Sequence, residues 1–194
     1  MNKKIIKKYL TIITLLVVCI LILQNCERDD ICAEGTSTTP RLKIEFYDAE
    51  NPEDLKSVTS ITVYGEGLIL DDQGMEIEPT ESTDKTIIFN SSENSVDLPL
   101  RIDDDIDQER TITRFVLEKD SNLRIEETGD SNVDIIEISY IPQFEYVSRA
   151  CGFKGIFSDL NVTFDDDGDT WINSITVDIT NVENENTIHV RIFH

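Results

Sequence analysis

The sequence predicts an all-β protein: an antiparallel β-sandwich, immunoglobulin-like or related, preceded by an N-terminal signal segment. Three observations predict this fold. Apolar and polar residues alternate with period two in many short runs from Arg41 onward, turn-forming residues separate the runs, and no window of ten or more residues after the signal has a helical stripe. Short strands at such intervals are typical of sandwiches and barrels.

The first 25 residues are typical of an export signal. Four lysines lie among the first eight residues, and an almost wholly apolar run follows over residues 10–23. A spanning helix needs about 20 apolar residues, whereas runs of roughly 10–14 are typical of secretory signals, and lysines hold the amino end in the cytoplasm. No second apolar run of this kind follows, so the sequence predicts export without a stop-transfer segment.

The end of the signal predicts a lipid anchor at Cys26. Residues 23–26 (Leu-Gln-Asn-Cys) resemble a relaxed bacterial lipobox, in which the cysteine becomes the first residue and receives a diacylglyceryl thioether. Cys19 is a competing acceptor, but its use would leave an apolar start on the mature chain. The other alternative is an uncleaved signal anchor in which Cys26 is an ordinary cysteine.

The predicted organisation is a lipoprotein signal peptide at 1–25, a tether at 26–40 and a single β-sandwich domain at 41–194. The acid-rich run Glu-Arg-Asp-Asp at 27–30 looks like the surface-export signal of Bacteroidota lipoproteins, and a plain charged tether is its alternative. Small polar residues closed by Pro40 complete the tether.

The strands are predicted from alternation. Leu42, Ile44 and Phe46 face one way and their polar neighbours face the other, as a half-buried strand requires. Further runs of this kind are 61–64, 86–89, 96–100, 111–117, 134–141, 145–149, 160–164, 175–179 and 188–192, and turns are predicted at 51–52, 71–74, 128–130 and 165–169. Pro99 would break a central ladder, so its strand is predicted at an edge.

The charge excludes two classes of partner. The chain has a formal net charge of −22, and the export signal contributes four lysines and no acid, so the remainder stands at −26. Such a charge repels nucleic acid and anionic head groups, and neither is expected as a partner. Regular alternation continues to the last residues, so the acidity indicates a solvated surface rather than disorder.

The four cysteines divide by role. Cys19 leaves with the signal and Cys26 is the predicted lipidation site. Cys32 and Cys151 then remain in an oxidising compartment, where a pair is more often bridged than free. The bridge would close a loop of about 120 residues, for which chain entropy gives roughly 4–5 kcal/mol. Two unpaired thiols are the alternative.

Acidic turns are the only metal candidates in the sequence. Asp165, Asp167 and Asp169 surround Gly168, but an EF-hand register that places this glycine at position 6 has no acidic residue at either end. A hairpin turn is the preferred interpretation, with calcium as the weaker one. The acidic stretch at 103–107 is interpreted in the same way, as a solvated loop.

The two histidines suggest neither zinc binding nor catalysis. His189 alternates with Ile188 and Val190, so it is expected on the outward face of its strand beside Arg191, satisfied or solvated, while His194 is the last residue. No HExxH, GxSxG or CxxC motif is present, and acids are too abundant for a catalytic pair to be selected.

Aromatic residues on or beside strands are candidates for stacking on a sugar ring. Trp171 is expected to open a strand after the acidic turn, and Tyr47, Tyr64 and Tyr140 also fall on strand-like runs. Core packing explains all four equally well and is the preferred interpretation.

Several segments together resemble a family of uncharacterised flavobacterial envelope lipoproteins. They are residues 26–32 (CERDDIC), the stretch 35–48 that runs into RLKIEFYD, residues 146–152 (YVSRACG) and residues 189–193 (HVRIF). The resemblance implies a Bacteroidota cell envelope. It also favours the pairing of Cys32 with Cys151, because both lie in matching segments, and it implies no catalytic residue.

The predicted function is that of a non-enzymatic, lipid-anchored accessory or binding component of the outer membrane, periplasmic or surface-exposed, without a cofactor. Its partners are expected to be the membrane, through the lipid anchor at Cys26, and an envelope protein or a glycan. One alternative is a glycan-binding module of a surface uptake system, which an exposed aromatic platform would favour. The other is a hydrolase with an Asp/Glu pair, which needs two carboxylates converging in a cleft.

Overall fold

A computed structural model describes residues 7, 9, 12–16, 31–33, 36, 38–102, 110–165 and 168–194. The predicted lipidation site Cys26, the charged run at 27–30, the acidic stretch at 103–107 and the calcium candidate Asp167 lie outside these residues.

The chain divides into two compact units. The smaller consists of Met1–Thr36 with Val147–Gly152, and the larger consists of Ser37–Tyr146 with Phe153–His194. In the smaller unit residues 12–16 are helical, and none of the described helices is both long and apolar enough to cross a membrane. The boundaries predicted from the sequence for signal, tether and domain stay predictions.

Nine strands and one short helix make up the regular structure of the described residues after residue 40. The strands are β1 (Leu42–Tyr47), β2 (Val58–Gly65), β3 (Thr86–Glu93), β4 (Ser95–Leu98), β5 (Thr111–Lys119), β6 (Asn132–Ser148), β7 (Gly152–Phe164), β8 (Ser174–Val177) and β9 (Val190–Phe193). The helix is Ser121–Ile125.

The strands form two sheets that make the predicted β-sandwich. One sheet has the order β4-β1-β9-β8 and the other has the order β3-β2-β5-β6-β7. β4 is an edge strand that ends directly before Pro99, as the missing proline N–H requires. One pair departs from the antiparallel prediction: β1 and β9 run parallel, with Ile44 opposite Val190 and Phe46 opposite Ile192.

Alternation along the strands places the core between the sheets. On β1 the side chains of Leu42, Ile44 and Phe46 are fully buried, and their polar neighbours are half-buried on the other face. They join one apolar cluster with inward residues of both sheets, among them Val63 of β2 and Ile138 of β6. The period-two pattern of the sequence therefore predicts the face of each of these residues correctly.

Two runs that the sequence separates, 134–141 and 145–149, belong to the single long strand β6, except for the last residue of the second run. Pro142 lies within it, yet the ladder between β5 and β6 ends at Thr111 opposite Tyr140. The missing N–H of Pro142 therefore costs no bond to β5, which explains why the strand continues through a residue that usually ends one.

Two positional predictions are wrong. Trp171 does not open a strand, because β8 begins at Ser174 and Trp171 lies in the preceding loop. His189 is not on an outward face beside Arg191; it is fully buried. It precedes β9, and its Nδ1 accepts a hydrogen bond from the backbone N–H of Lys43 at 3.1 Å, so the alternation of β9 does not extend to it.

The last strand is expected to be essential for stability. Ile192→Ala should lower the free energy of unfolding by about 2–5 kcal/mol, because it opens a cavity at a fully buried site. Urea unfolding measures this loss. The matched control is Ile112→Ala, at a side chain that is 48% exposed, with an expected loss below about 1 kcal/mol. Equal losses at the two positions would contradict the buried role of β9.

Candidate binding surfaces

The outer face of the five-stranded sheet carries a second apolar cluster. Tyr64 of β2 and Val116 of β5 point away from the main core and pack with Ile69 from the connection between β2 and β3, and Val133 and Ile135 of β6 are partly buried against them. A sheet face that is apolar on its outer side needs a cover. The connection between β2 and β3 provides part of that cover.

A cleft of about 550 Å³ opens between this connection and the sheet. Its apolar floor is formed by Val116, Val133 and Ile135, with Tyr64 beside them. The residues that line the cleft also include Glu66, Glu76, Ile77 and Glu78. We call this site the acidic cleft. Apolar surface with a few polar groups at fixed positions is the usual composition of a binding site.

Each glutamate of the acidic cleft is fixed by a neighbouring donor. Glu66 pairs with Arg114 at 2.6 Å, and Glu78 pairs with Arg124 at 3.3 Å. A carboxylate oxygen of Glu76 accepts the backbone N–H of Gly67 at 2.7 Å. The carboxylates are therefore held in position before any ligand arrives.

A buried ion pair supports the cleft from below. The Glu118 side chain is fully buried, and both of its oxygens accept hydrogen bonds from Arg124, at 2.6 and 2.9 Å. Ser131 donates a third hydrogen bond to Glu118 at 2.6 Å. Arg124 also donates to the carbonyl of Pro79 at 2.9 Å, and so connects the short helix to the connection between β2 and β3. Its hydrogen bond with Glu118 raises the pKa of Arg124.

Arg114 joins three carboxylates on the same sheet face. Besides Glu66, it pairs with Glu137 of β6 at 3.3 Å and with Asp165 at 2.8 Å. Arg114 thus pairs with three carboxylates and Arg124 with two, those of Glu78 and Glu118. Glu76 adds a sixth carboxylate, so negative charge remains in excess around the acidic cleft. Burial, with Glu118 as the next contributor, raises the pKa of Tyr64, and its phenol stays protonated at neutral pH.

Glu66 also lines a second pocket, of about 450 Å³, together with its ion-pair partner Arg114. Its remaining wall is mainly apolar or backbone, with Leu68, Leu100 and Phe115 among its residues. Glu66 is therefore shared by the two pockets.

The calcium candidates are placed as follows. The Asp165 carboxylate is engaged with Arg114, and the backbone carbonyl of Asp169 accepts a hydrogen bond from Asn132 at 2.8 Å. Across the part of the chain that the structure describes, no group of three or more His, Cys, Asp or Glu residues is arranged to hold a metal ion. Asp167 is outside that part, so the calcium interpretation stays a prediction.

Both histidines serve packing. The N–H of His189 donates to the carbonyl of Lys43, and its carbonyl accepts from the N–H groups of Asp178 and Ile179. The ring of His194 packs edge-on against Trp171 at 5.5 Å and bonds to the carbonyl of Lys56. Burial lowers the pKa of both histidines, so both are neutral at pH 7.

The aromatic candidates from the sequence are mostly core residues. Tyr64, Tyr140 and Trp171 are buried, and the Tyr140 hydroxyl donates to the carbonyl of Arg101 at 2.9 Å. Trp171 donates its backbone N–H to the buried carboxylate of Asp134. Tyr47 is half-buried beneath the guanidinium of Arg191, 5.8 Å from its ring centre. Core packing is thus the correct interpretation for Tyr140 and Trp171, whereas Tyr64 is buried in the second apolar cluster, beside the acidic cleft.

The strands also carry exposed aromatic residues that were not predicted from the sequence. Phe144 and Tyr146 of β6 and Phe153 of β7 are 47%, 56% and 66% exposed, and we call these three residues the aromatic patch. Phe144 and Tyr146 continue the phase of the buried residues Ile138 and Tyr140. The alternation of side chains along β6 therefore predicts that both residues are buried in the core. Alternation does not show where along the strand the core ends.

The structure contains the disulfide between Cys32 and Cys151 that the sequence predicts, with the two Cα atoms 4.8 Å apart. Cys151 lies between β6 and β7, and its N–H donates to the hydroxyl of Ser148 at 3.0 Å. The bridge joins residues separated by 119 positions and so fixes the segment around Cys32 to the β6–β7 turn.

These features define a disulfide-bonded, two-sheet β-protein with an acidic cleft on one sheet face. The chain belongs to a family of unknown function, DUF6452, whose model matches residues 60–194, from within β2 to the C-terminus. No curated protein and no solved structure matches the chain.

The ion pair beneath the acidic cleft is expected to contribute to stability. Arg124→Met leaves the fully buried Glu118 carboxylate without its cation, and should lower the free energy of unfolding by about 3–5 kcal/mol. The measurement is denaturant unfolding.

Arg110→Met is the matched control, because Arg110 pairs with Asp159 at an exposed site and its loss should cost no more than about 1 kcal/mol. The double variant Glu118→Met/Arg124→Met should regain part of the lost stability. A double variant no more stable than Arg124→Met would show that the loss does not come from the uncompensated charge.

Proposed function

We propose that this protein is an exported, lipid-anchored, non-enzymatic binding component of the bacterial outer membrane. In this proposal Cys26 carries the lipid and the acidic cleft receives a basic side chain of an envelope protein partner. The observation that carries the proposal is the acidic cleft itself, with its apolar floor and fixed carboxylates.

Export is supported by two independent features. The lysines and the apolar run of residues 10–23 have the composition of a secretory signal. The disulfide between Cys32 and Cys151 suits an oxidising compartment, since cytosolic thiols are kept reduced. The resemblance of residues 26–32 and 146–152 to flavobacterial envelope lipoproteins supports the outer membrane of a Bacteroidota cell as the destination.

A binding role is supported by the contacts that the histidines and the glutamates of the acidic cleft make within the protein. Both histidines pack internally, and the carboxylates of Glu66 and Glu78 are engaged with guanidiniums. A general acid or base has to be available to the substrate. Fixed carboxylates around an apolar floor suit recognition better than proton transfer.

The chemistry of the acidic cleft indicates the kind of group it binds. A lysine or arginine side chain combines an aliphatic stem with a cationic end. The stem would cover Val116 and Ile135, while the cation would face Glu76 and its neighbouring carboxylates. Excess negative charge around the cleft would also raise the association rate with a basic partner.

The lipid anchor is tested by substitution of Cys26. Cys26→Ser removes the acceptor sulfur, so the protein should shift from the membrane fraction to the soluble fraction of the envelope. Immunoblotting of the separated fractions measures the shift. Cys19→Ser is the control and should leave the protein membrane-bound. Membrane retention of the Cys26→Ser protein would instead support an uncleaved signal anchor.

The acidic cleft is tested by site-specific crosslinking in intact cells. A photoreactive amino acid in place of Ile77, which is 44% exposed in the cleft, should give one discrete adduct with an envelope protein. The same probe in place of Leu55, which is 49% exposed outside the cleft, should give none.

Charge reversal by Glu76→Lys should abolish the Ile77 adduct, because it places a cation where the partner's cation would bind. An adduct that persists in this variant, or that forms equally at Leu55, would refute the acidic cleft as the binding site.

A further inference from the structure

The aromatic patch lies on the face of β6 and β7 whose side chains are buried in the core further along the two strands. At the patch this face is apolar and exposed. Tyr146 and Phe153 are in contact, with ring centres 5.4 Å apart. Phe144 precedes Tyr146 by two residues and therefore lies on the same face of β6. Three aromatic rings, each about half exposed or more, leave a contiguous apolar surface in need of a partner.

The patch lies in a stretch of low charge that has no net negative charge. Residues 138–158 contain only three charged residues, Glu145, Arg149 and Lys154, although charged residues make up 29% of the whole sequence. Glu145 pairs with Lys154 at 3.0 Å. This stretch has a formal charge of +1, against −22 for the chain, so it escapes the repulsion that keeps the rest of the protein away from anionic head groups.

Covalent connections alone keep the patch close to the proposed anchor. Cys26 precedes Cys32 by six residues, a span of at most about 21 Å. The disulfide then brings the chain to Cys151, with 4.8 Å between the two Cα atoms. Phe153 follows two residues later, at most about 7 Å further on. A lipid on Cys26 would therefore hold the bilayer within reach of Phe153.

We propose that the aromatic patch of Phe144, Tyr146 and Phe153 inserts into the interfacial layer of the bilayer that carries the protein. This inference rests on the proposed lipid anchor at Cys26. A lipid attached at one residue leaves the protein free to reorient above the membrane, and a second apolar contact would fix its orientation. Aromatic side chains are favoured at this depth because the layer has both apolar and hydrated regions.

A membrane suits the geometry better than a sugar does. Sugars stack on an exposed flat ring face, whereas the rings of Tyr146 and Phe153 meet at an angle of 68°, with the edge of one against the face of the other. This arrangement presents no shared flat surface. Insertion into a fluid interface requires only exposed apolar area, which the patch provides.

The test uses the protein as purified from its native membranes, mixed with vesicles of phosphatidylethanolamine that contain a minor fraction of phosphatidylglycerol. Phe153→Trp, or Phe144→Trp as a second reporter, adds an indole to the patch, and brominated acyl chains quench an indole that enters the bilayer. Trp171 is buried and gives a constant background. Met75→Trp is the control, because Met75 is 60% exposed in the connection between β2 and β3.

We expect the patch reporters to be quenched several-fold more strongly than the Met75→Trp protein. Equal quenching of patch and control reporters, in protein that floats with the vesicles, overturns the inference and leaves the lipid anchor intact. Protein that does not float at all overturns the anchor and the inference together. A patch reporter that is unquenched by the lipid but shifts its emission with envelope oligosaccharides assigns the patch to glycan instead.

Discussion

The sandwich depends on the pairing of its first strand with its last. β1 lies between β4 and β9, and its three inward side chains, Leu42, Ile44 and Phe46, are fully buried. Among the described strands, β9 also joins β8 to this sheet. The four-stranded sheet therefore cannot be completed until Val190–Phe193 are available. Contacts between such distant parts of the sequence carry a high loop-closure entropy, so folding is expected to be slow for a domain of this size.

Much of this fold could be predicted from the sequence, because burial on one face of a strand produces alternation. The inward residues of β1 and the edge position of β4 followed from pattern and from Pro99. The direction of a strand could not be predicted, because alternation is the same in both directions. The parallel pairing of β1 with β9 was therefore not foreseen. His189 was misplaced for a related reason: a residue just outside a ladder is oriented by its own hydrogen bonds rather than by the pleat.

The candidate surfaces were harder to foresee. The sequence has so many acids that no single carboxylate could be selected, and only the fold shows that Glu118 is buried while Glu66, Glu76 and Glu78 line one cleft. The aromatic patch was missed because its phase on β6 is that of the core. Cysteine chemistry was easier to predict, since export and the predicted lipidation left only two candidates for a bridge. The disulfide therefore gives the most direct connection between the sequence and the proposed site of action, because it attaches the segment that follows Cys26 to a strand turn of the folded protein.

We propose that the export signal ends at residue 25 and that a lipid on Cys26 attaches the β-sandwich to the membrane. The most direct test is the intact mass of the protein purified from its native membranes. The account predicts a chain of residues 26–194 that carries a diacylglyceryl thioether on Cys26 and contains the Cys32–Cys151 disulfide. A mass that includes residues 1–25, or one that lacks the lipid, would contradict it.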